Sequence, residues 1–117
     1  MRVIMFQPHF ADLIAAGKKF QTIRVNARCR ACSVLSLRRW EGKPYRSKHE
    51  VIREGYCESV MPVVIDQDSI TLDGRKLMNE DGFAKADGFD DARSMREWFE
   101  RVHGLPFTGA VIRWSNL

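Results

Sequence analysis

The sequence has few cysteines and no long hydrophobic segment. Its three cysteines are an odd number, which argues against the disulfide framework of a secreted protein. No apolar run approaches the ~20 residues that a membrane-spanning helix needs. The apolar segment from Met1 to Phe6 is too short for a signal peptide and is followed by no small-residue cleavage site. We therefore expect a cytoplasmic protein with no membrane partner.

Two common catalytic motifs are also missing. The eight glycines are scattered along the chain, so no glycine-rich loop is available to cradle a phosphate. There is no G-x-S-x-G motif, and no cysteine has the sequence context of a catalytic nucleophile. The sequence thus argues against a P-loop enzyme and against a serine or cysteine hydrolase, and it indicates no cofactor.

One third of the chain is strongly basic. The net charge is +4 overall, but residues 18–53 contain eleven basic and two acidic residues, whereas residues 54–117 contain seven basic and twelve acidic residues. A basic segment of this kind favours a surface that faces a polyanion. The alternative is that folding scatters these cations over unrelated faces.

The hydrophobic pattern predicts a single domain over residues 1–117, with more strands than helices. The expected elements are strands at 2–6, 20–25 and 33–40, one bent strand or two over 49–65, a hairpin at 69–77, a strand at 108–114, and helices at 9–16 and from Asp90 or Asp91 to Gly104. Residues 78–86 are either loop or one helical turn. Because short turns join most strands, we predict a mixed α/β, strand-dominated fold in the form of a small β-barrel with two flanking helices.

The segment after the first helix combines cations with a hydroxyl. Gly17 is the natural residue just past the helix end, and an extended chain beyond it places Thr22 and Arg24 on one face. A kink near Lys19 would bring its amine beside the Thr22 hydroxyl. Such a pair suits an anionic or carbonyl-bearing ligand and could also activate a nucleophile. The alternative is a solvated turn.

A second segment, residues 38–46, interleaves basic and aromatic side chains. Cations bind phosphates while aromatic faces stack on unpaired bases, so this composition suits single-stranded RNA or a nucleotide. The alternative is that Trp40 fills the barrel interior and the cations are solvated. The candidate nucleic-acid-binding residues are Lys18, Arg24, Arg38, Arg39, Trp40, Lys43, Tyr45 and Arg46.

Two further motifs allow more than one interpretation. Cys29 and Cys32 have the spacing of a zinc knuckle, which His49 and Cys57 could complete, but a second closely spaced pair is missing. We therefore expect thiols that pack as small hydrophobic side chains, and no metal site. The carboxylate of Asp87 can cap backbone donors, or it can act as a general acid or base if partial burial raises its pKa.

Three separated motifs resemble ASCH domains. They are Leu13–Gly17 with the following Lys18–Arg24, then Ala86–Phe89, and finally the last helix through Gly104 with Gly109–Trp114. The resemblance covers nearly the whole chain in order. It implies a fold similar to the PUA domain, a small β-barrel with a cleft, and the binding of RNA or a nucleotide.

Within that superfamily the chain is partly similar to small bacterial amidohydrolases that deacetylate acetylated cytidine. This similarity implies Lys19 as the base, Thr22 as the nucleophile and Asp87 as the proton donor, where the enzymes have a glutamate that is one methylene longer. The basic loop would also suit the ribonuclease activity proposed for other ASCH proteins. We expect an RNA- or nucleotide-binding ASCH domain, and the alternative is an enzyme acting on RNA or acylated cytidine.

Overall fold

The computed structural model describes residues 1–43 and 46–117, and strands dominate it, as predicted. The helices within these ranges are α1 (Pro8–Ala15), α2 (Glu80–Ala86) and α3 (Ala92–Val102). The strands are β1 (Arg2–Met5), β2 (Gln21–Arg24), β3 (Val34–Trp40), β4 (His49–Ile65), β5 (Ile70–Leu72), β6 (Arg75–Lys76) and β7 (Phe107–Asn116).

The prediction of two helices was wrong, because the ambiguous segment before α3 is also helical. The side chain of Asn79 accepts a hydrogen bond from the backbone N–H of Gly82 at 2.9 Å and thereby caps α2. Glu80 and Asp81 in the first turn suit the positive end of the helix dipole. None of the helices in the described ranges is long and apolar enough to cross a bilayer.

Two local predictions are confirmed. Asp91 caps α3 in a reciprocal arrangement with Ser94: its carboxylate accepts from the Ser94 backbone N–H at 2.8 Å, and the Ser94 hydroxyl accepts from the Asp91 N–H at 3.2 Å. Asp73 and Gly74 join β5 to β6 with φ angles of 52° and 80°. Both angles are positive, as a two-residue hairpin turn of the primed type requires.

The seven strands found in the described residues lie in one sheet. The long strand β4 is central: β3 and β5 pair with successive parts of one edge, and β7 pairs along the other edge. β1 pairs with β3 in parallel, and β2 pairs with β7. The strand order is therefore β1-β3-β4-β7-β2, with the β5–β6 hairpin added beside β4. This sheet is not closed, so the predicted barrel is not confirmed.

The sheet curls until its two outer strands approach one another. β1 and β2 stand at opposite ends of the strand order, yet the guanidinium of Arg24 on β2 donates to the backbone oxygen of Met5 on β1 at 2.8 Å. A single side chain thus spans the gap between the two edges. The candidate site lies in this gap.

Two hydrophobic clusters hold the helices on the sheet. One lies beneath α2 and α3 and includes Phe83, Met95 and Phe99 packed on strand residues such as Val63. The other lies beneath α1 and includes Ile14. Because these clusters fix the C-terminal ends of α1 and α2, they also fix the residues that follow those ends.

Candidate functional site

The C-terminal end of α1 places Lys19. The N–H of Gly17 donates to the Ile14 carbonyl at 3.0 Å, and the N–H of Lys18 donates to the Leu13 carbonyl at 2.8 Å. This pair of bonds is the Schellman motif, which requires a left-handed residue, and Gly17 has a φ of 74°. The motif reverses the chain and turns Lys19 inward, where its side chain is 3% exposed.

A second Schellman motif, at the C-terminal end of α2, positions Asp87. The N–H of Gly88 donates to the Lys85 carbonyl at 3.0 Å, and the N–H of Phe89 donates to the Ala84 carbonyl at 2.9 Å. Gly88 has a φ of 98°. Asp87 therefore ends α2 and does not cap α3. It is buried, with a side chain 5% exposed.

The two helix ends are packed directly against each other. The N–H of Phe20 donates to the Ala86 carbonyl at 3.2 Å, which links the backbones. A Cβ atom on Gly88 would lie 3.0 Å from a methyl carbon of Leu13 and 3.2 Å from Cδ of Lys19. Glycine at position 88 is thus required both by its positive φ and by this close approach.

Lys19 and Asp87 form a buried pair of opposite charge. The Lys19 ammonium donates to the backbone oxygen of Asp87 at 2.5 Å, and its Nζ lies 3.6 Å from the carboxylate Oδ1. Burial lowers the pKa of Lys19 to about 8, although the Asp87 charge opposes this shift. Burial likewise raises the pKa of Asp87 to about 6, opposed chiefly by Lys19. Both groups therefore titrate near neutrality.

One atom of this pair is left unsatisfied. Asp87 Oδ1 is buried and has no hydrogen-bond partner among the described residues. Its distance from Lys19 Nζ is too long for a good charge-assisted hydrogen bond. A buried acceptor without a donor costs about 1–3 kcal/mol. This oxygen is therefore the unsatisfied acceptor of the pair.

Thr22 and Arg24 lie beside the pair on β2. Arg24 Nε donates to the Thr22 hydroxyl at 3.2 Å, and the guanidinium lies 5.0 Å from the centre of the Phe6 ring. Thr22 and Arg24 thus share a face, as the alternating pattern predicts. Across the described chain, however, no hydrogen bond joins Lys19 to Thr22.

These side chains line one cavity of about 260 Å³. Aromatic rings form much of its wall: the centre of the Phe10 ring lies 5.5 Å from that of Phe89 and 6.1 Å from that of Trp98. Lys19 Nζ lies 4.9 Å from the centre of the Phe10 ring. We call this space the site cavity. It is lined by Met5, Phe6, Gln7, Phe10, Lys19, Thr22, Ile23, Arg24, Val25, Asp87, Phe89, Trp98, Phe99 and His103.

Four of these residues, Lys19, Thr22, Arg24 and Asp87, are predicted as site residues from the sequence. The aromatic wall is not predicted, because the spacing of Trp98 and Phe99 in α3 is that of any helix packed on a core. Gln21 on β2 is not among the lining residues, and no signal in the sequence marks it: it is fully buried, donates to the Phe83 carbonyl at 3.4 Å and accepts from Arg113 at 3.2 Å.

The fold places the candidate residues of the basic and aromatic segment, 38–46, in different surroundings. Arg39 and Trp40 line a second cavity of about 400 Å³ beside the site cavity. Arg38 instead donates to the Ser36 hydroxyl at 2.8 Å. Tyr45 lies outside the described residues. The other three candidates, Lys18, Lys43 and Arg46, are exposed and line neither of the two cavities in the described part of the chain.

The cysteines lie away from this site. Cys57 is fully buried in the cluster beneath α1, and burial raises the pKa of its thiol to about 11. Cys29 packs against that cluster, and the backbone N–H of Cys32 donates to the Cys57 carbonyl at 2.8 Å. His49 is paired with Trp40 at the other end of β3. Within residues 1–43 and 46–117, no group of three or more potential ligands is arranged to hold a metal ion.

Comparisons with protein-family models, with curated proteins and with solved structures give no match to this chain. The resemblance to ASCH domains therefore stays a prediction based on the motifs quoted above. The functional interpretation depends on the geometry of the site cavity.

Proposed function

We propose that this protein binds a nucleotide, either free or within RNA, with the base inserted into the site cavity. Aromatic rings that stack on a base, donors and acceptors that read its edge, and a cation for the phosphate are the groups such a ligand requires. The cavity contains all three: the ring of Phe10, the pair of Lys19 with Asp87, and the guanidinium of Arg24.

The observation that carries this proposal is the unpartnered Oδ1 of Asp87. The oxygen belongs to a residue that lines the cavity, and the Lys19 ammonium lies 3.6 Å from it. A planar ring carrying an N–H donor beside an acceptor complements this arrangement. Nucleobases have such edges. The cavity volume of about 260 Å³ suits a single small ring system better than a larger ligand.

The test is calorimetric titration of the protein with the common nucleoside 5′-monophosphates and with short single-stranded RNAs. Lys19→Met should weaken binding at least about tenfold, because a hydrogen bond from a charged group contributes about 1.5–3 kcal/mol. Lys76→Met makes the same change at an exposed position on β6 and should leave affinity unaltered. Failure of every nucleotide and RNA to bind, or equal binding by Lys19→Met, would overturn the proposal.

A second candidate function is hydrolysis of an acylated nucleoside, with Lys19 as base, Thr22 as nucleophile and Asp87 as acid. The observation that favours it is the pair of pKa values, about 8 for Lys19 and about 6 for Asp87, because the neutral amine and the protonated carboxyl that this chemistry needs are then each present as a minor form near pH 7. In the structure the Lys19 amine donates to Asp87. For this chemistry the Lys19 side chain has to rotate so that its amine reaches the Thr22 hydroxyl.

Incubation with acetylated cytidine and with short RNA distinguishes the two functions. Turnover that is lost in both Lys19→Met and Thr22→Val would establish the enzyme. If the protein binds these ligands without turnover, and Thr22→Val binds them as tightly as wild type, only the binding function is supported.

We also propose that the chain is an ASCH domain whose sheet is a PUA-like barrel left open between β1 and β2. The proximity of these two strands across the Arg24 side chain supports it, as does the order of strand, helix, strands, helices and final strand. An experimental structure in which the β1 and β2 edges lie far apart would refute the barrel interpretation.

A further inference from the structure

The three cysteines come together where the loop between β2 and β3 packs on β4. All three are free thiols, and none of them lines the site cavity. Cys57 on β4 is fully buried, and Cys29 in the loop is partly buried against the hydrophobic cluster that contains Cys57. Neighbouring thiols of this kind can be oxidised to a disulfide.

The backbone holds this loop on β4 through two hydrogen bonds. The Cys57 N–H donates to the Ser33 carbonyl at 2.8 Å, and the Cys32 N–H donates to the Cys57 carbonyl at 2.8 Å. Two loop residues thus oppose one residue of β4, as in a β-bulge, and the positive φ of Cys32, 69°, fits the first position of the G1 type. The loop is therefore fixed beside Cys57 without any contribution from the thiols.

The side chains divide the cysteines into a pair and a single residue. The Cys29 and Cys57 thiols interact with each other through a side-chain hydrogen bond. The Cys32 thiol interacts in the same way with the Tyr56 hydroxyl. Because Tyr56 and Cys57 are neighbours on a strand, their side chains point to opposite faces of the sheet. The thiol next to Cys29 thus comes from another strand and not from the C-x-x-C spacing.

The surroundings give the two paired sulfurs different reactivity. Burial raises the pKa of Cys57 to about 11, which keeps this residue a thiol. Burial also raises the pKa of Cys29, but the hydrogen bond with Cys57 and the charge of Arg2 oppose the shift. Arg2 Nε is itself buried and has no hydrogen-bond partner among the described residues. Since only the thiolate is nucleophilic, Cys29 is the sulfur of this pair that can attack first.

We propose that Cys29 and Cys57 form a reversible disulfide by exchange with a small-molecule disulfide such as oxidised glutathione. The Cys29 thiolate attacks one sulfur of the oxidant, which forms a mixed disulfide and releases one glutathione thiolate. Cys57 gives its proton to that thiolate, attacks the Cys29 sulfur and releases the second glutathione, which takes up the proton that Cys29 lost. The two protein thiols are oxidised by two electrons, and the oxidant is reduced to two glutathione molecules.

The disulfide would join the loop after β2 covalently to β4. The ring that it closes contains β3 and the first part of β4, so it restricts the unfolded chain far more than the folded one, in which the thiols already interact. Oxidation should therefore raise Tm by about 10 °C. This inference does not depend on the proposed function, because neither thiol lines the site cavity.

The test is incubation of the folded full chain in glutathione buffers that range from fully reduced to fully oxidised. Acid quenching, alkylation and peptide mass spectrometry then identify each cysteine as free, glutathionylated or disulfide-bonded. The expected product contains a disulfide between Cys29 and Cys57, which dithiothreitol should reverse. Calorimetry compares Tm of the reduced and oxidised forms. The same oxidation in concentrated urea is the control, because the shortest ring, Cys29 with Cys32, should predominate once the fold is lost.

The variants separate the roles of the three sulfurs. Cys32→Ser should form the Cys29–Cys57 disulfide as wild type does. Cys57→Ala should stop at a mixed disulfide of Cys29 with glutathione, because the second attack is then impossible. Cys29→Ser should form no protein disulfide. Circular dichroism verifies folding, and if Cys57→Ala does not fold, Cys57→Val replaces it.

Four outcomes would overturn the inference. They are a free Cys29 and Cys57 in the most oxidising buffer, a folded protein whose main disulfide joins Cys29 to Cys32, a Cys29–Cys57 product that predominates equally in urea, and a Cys29–Cys57 disulfide that lowers Tm. The last would show that the folded protein does not hold the two sulfurs in position for a bond. Loss of the Cys29–Cys57 disulfide in folded Cys32→Ser would overturn the direct attack by Cys29.

Discussion

Replacing Asp87 by asparagine removes a buried negative charge that is less stable in the folded protein than in the unfolded chain. The side chain is 5% exposed, and its Oδ1 has no partner among the described residues. Asparagine has nearly the same shape but no charge. At neutral pH, Asp87→Asn should therefore stabilise the fold, although it removes one member of the only buried ion pair seen in the described chain.

The pH dependence gives the sign and the size of this effect. Burial raises the pKa of Asp87 from 3.8 to about 6 in the folded protein. Between these values the folded protein binds more protons than the unfolded chain, so the stability contributed by this group is full below 3.8 and is lost as the pH rises through about 6. At 1.36 kcal/mol per pKa unit, the loss is about 3 kcal/mol.

Lys19 gives the opposite dependence at alkaline pH. Its folded pKa of about 8 lies below its ordinary value of 10.5. Over this interval the unfolded chain binds more protons, so the stability rises with pH from about 8 upward. The contribution of the pair is therefore lowest between about 6 and 8, where both groups are charged.

The assay is urea unfolding of wild type and Asp87→Asn from pH 4 to pH 7. The difference in the free energy of unfolding should grow in favour of the variant by about 2 kcal/mol over this range, because part of the loss has already occurred at pH 4. Taking the difference cancels the titration of shared groups that do not interact with Asp87; Lys19 does interact with it, and its pKa should fall further in the variant, which adds to the difference in the same direction. Asp68→Asn, the same change at an exposed position, is the control. A difference that stays constant with pH would refute the claim that Asp87 is held charged in a buried site.

Three further changes probe the same region and its supports. Lys19→Met should raise the pKa of Asp87 above about 6, because Lys19 is the strongest influence that lowers it; carboxyl carbon NMR measures this, and an unchanged value would contradict the pairing. Arg24→Gln should destabilise the fold by about 1–3 kcal/mol, since the Arg24 hydrogen bonds connect the two sheet edges. A decrease of less than about 0.5 kcal/mol in the free energy of unfolding, measured with urea, would show that these hydrogen bonds do not stabilise the fold. Asp91→Ala should cost about 1 kcal/mol by removing the cap of α3, and rescue by Asp91→Ser would support this reason.

Local patterns in the sequence were sufficient to predict most elements. The β4 segment, the Asp73-Gly74 turn and the Asp91 cap each depend on neighbours within a few residues, and all are present. The missing helix α2 shows the limit of this reasoning. Its seven residues include Gly82 and few apolar positions, so its formation depends on burying Phe83 against the sheet rather than on helix propensity.

The site was only partly predictable for a different reason. Lys19 and Thr22 are close in sequence, so their proximity follows from local geometry. Their relation to Asp87 is a tertiary contact across 68 residues, and only the resemblance to a known family pointed to it. The partner of Lys19 also proved to be Asp87 rather than Thr22, because the chain reversal at Gly17 directs the amine toward the end of α2.

The construction of the site explains why its charges are tolerated. Two helices end in the same glycine-dependent motif, and their ends pack together through Gly88 so closely that a Cβ atom at this position would lie 3.2 Å from Cδ of Lys19. The Lys19 ammonium donates a hydrogen bond to the backbone carbonyl of Asp87. Because this acceptor belongs to the main chain, no second side chain loses conformational entropy to provide it. Oδ1 of the carboxylate has no hydrogen-bond partner among the described residues. A fold selected for stability alone would fill this position with an apolar or a satisfied side chain. Under the proposed function, a bound nucleotide that donates to Oδ1 should lower the pKa of Asp87 below about 6, and carboxyl carbon NMR with and without the nucleotide measures this shift.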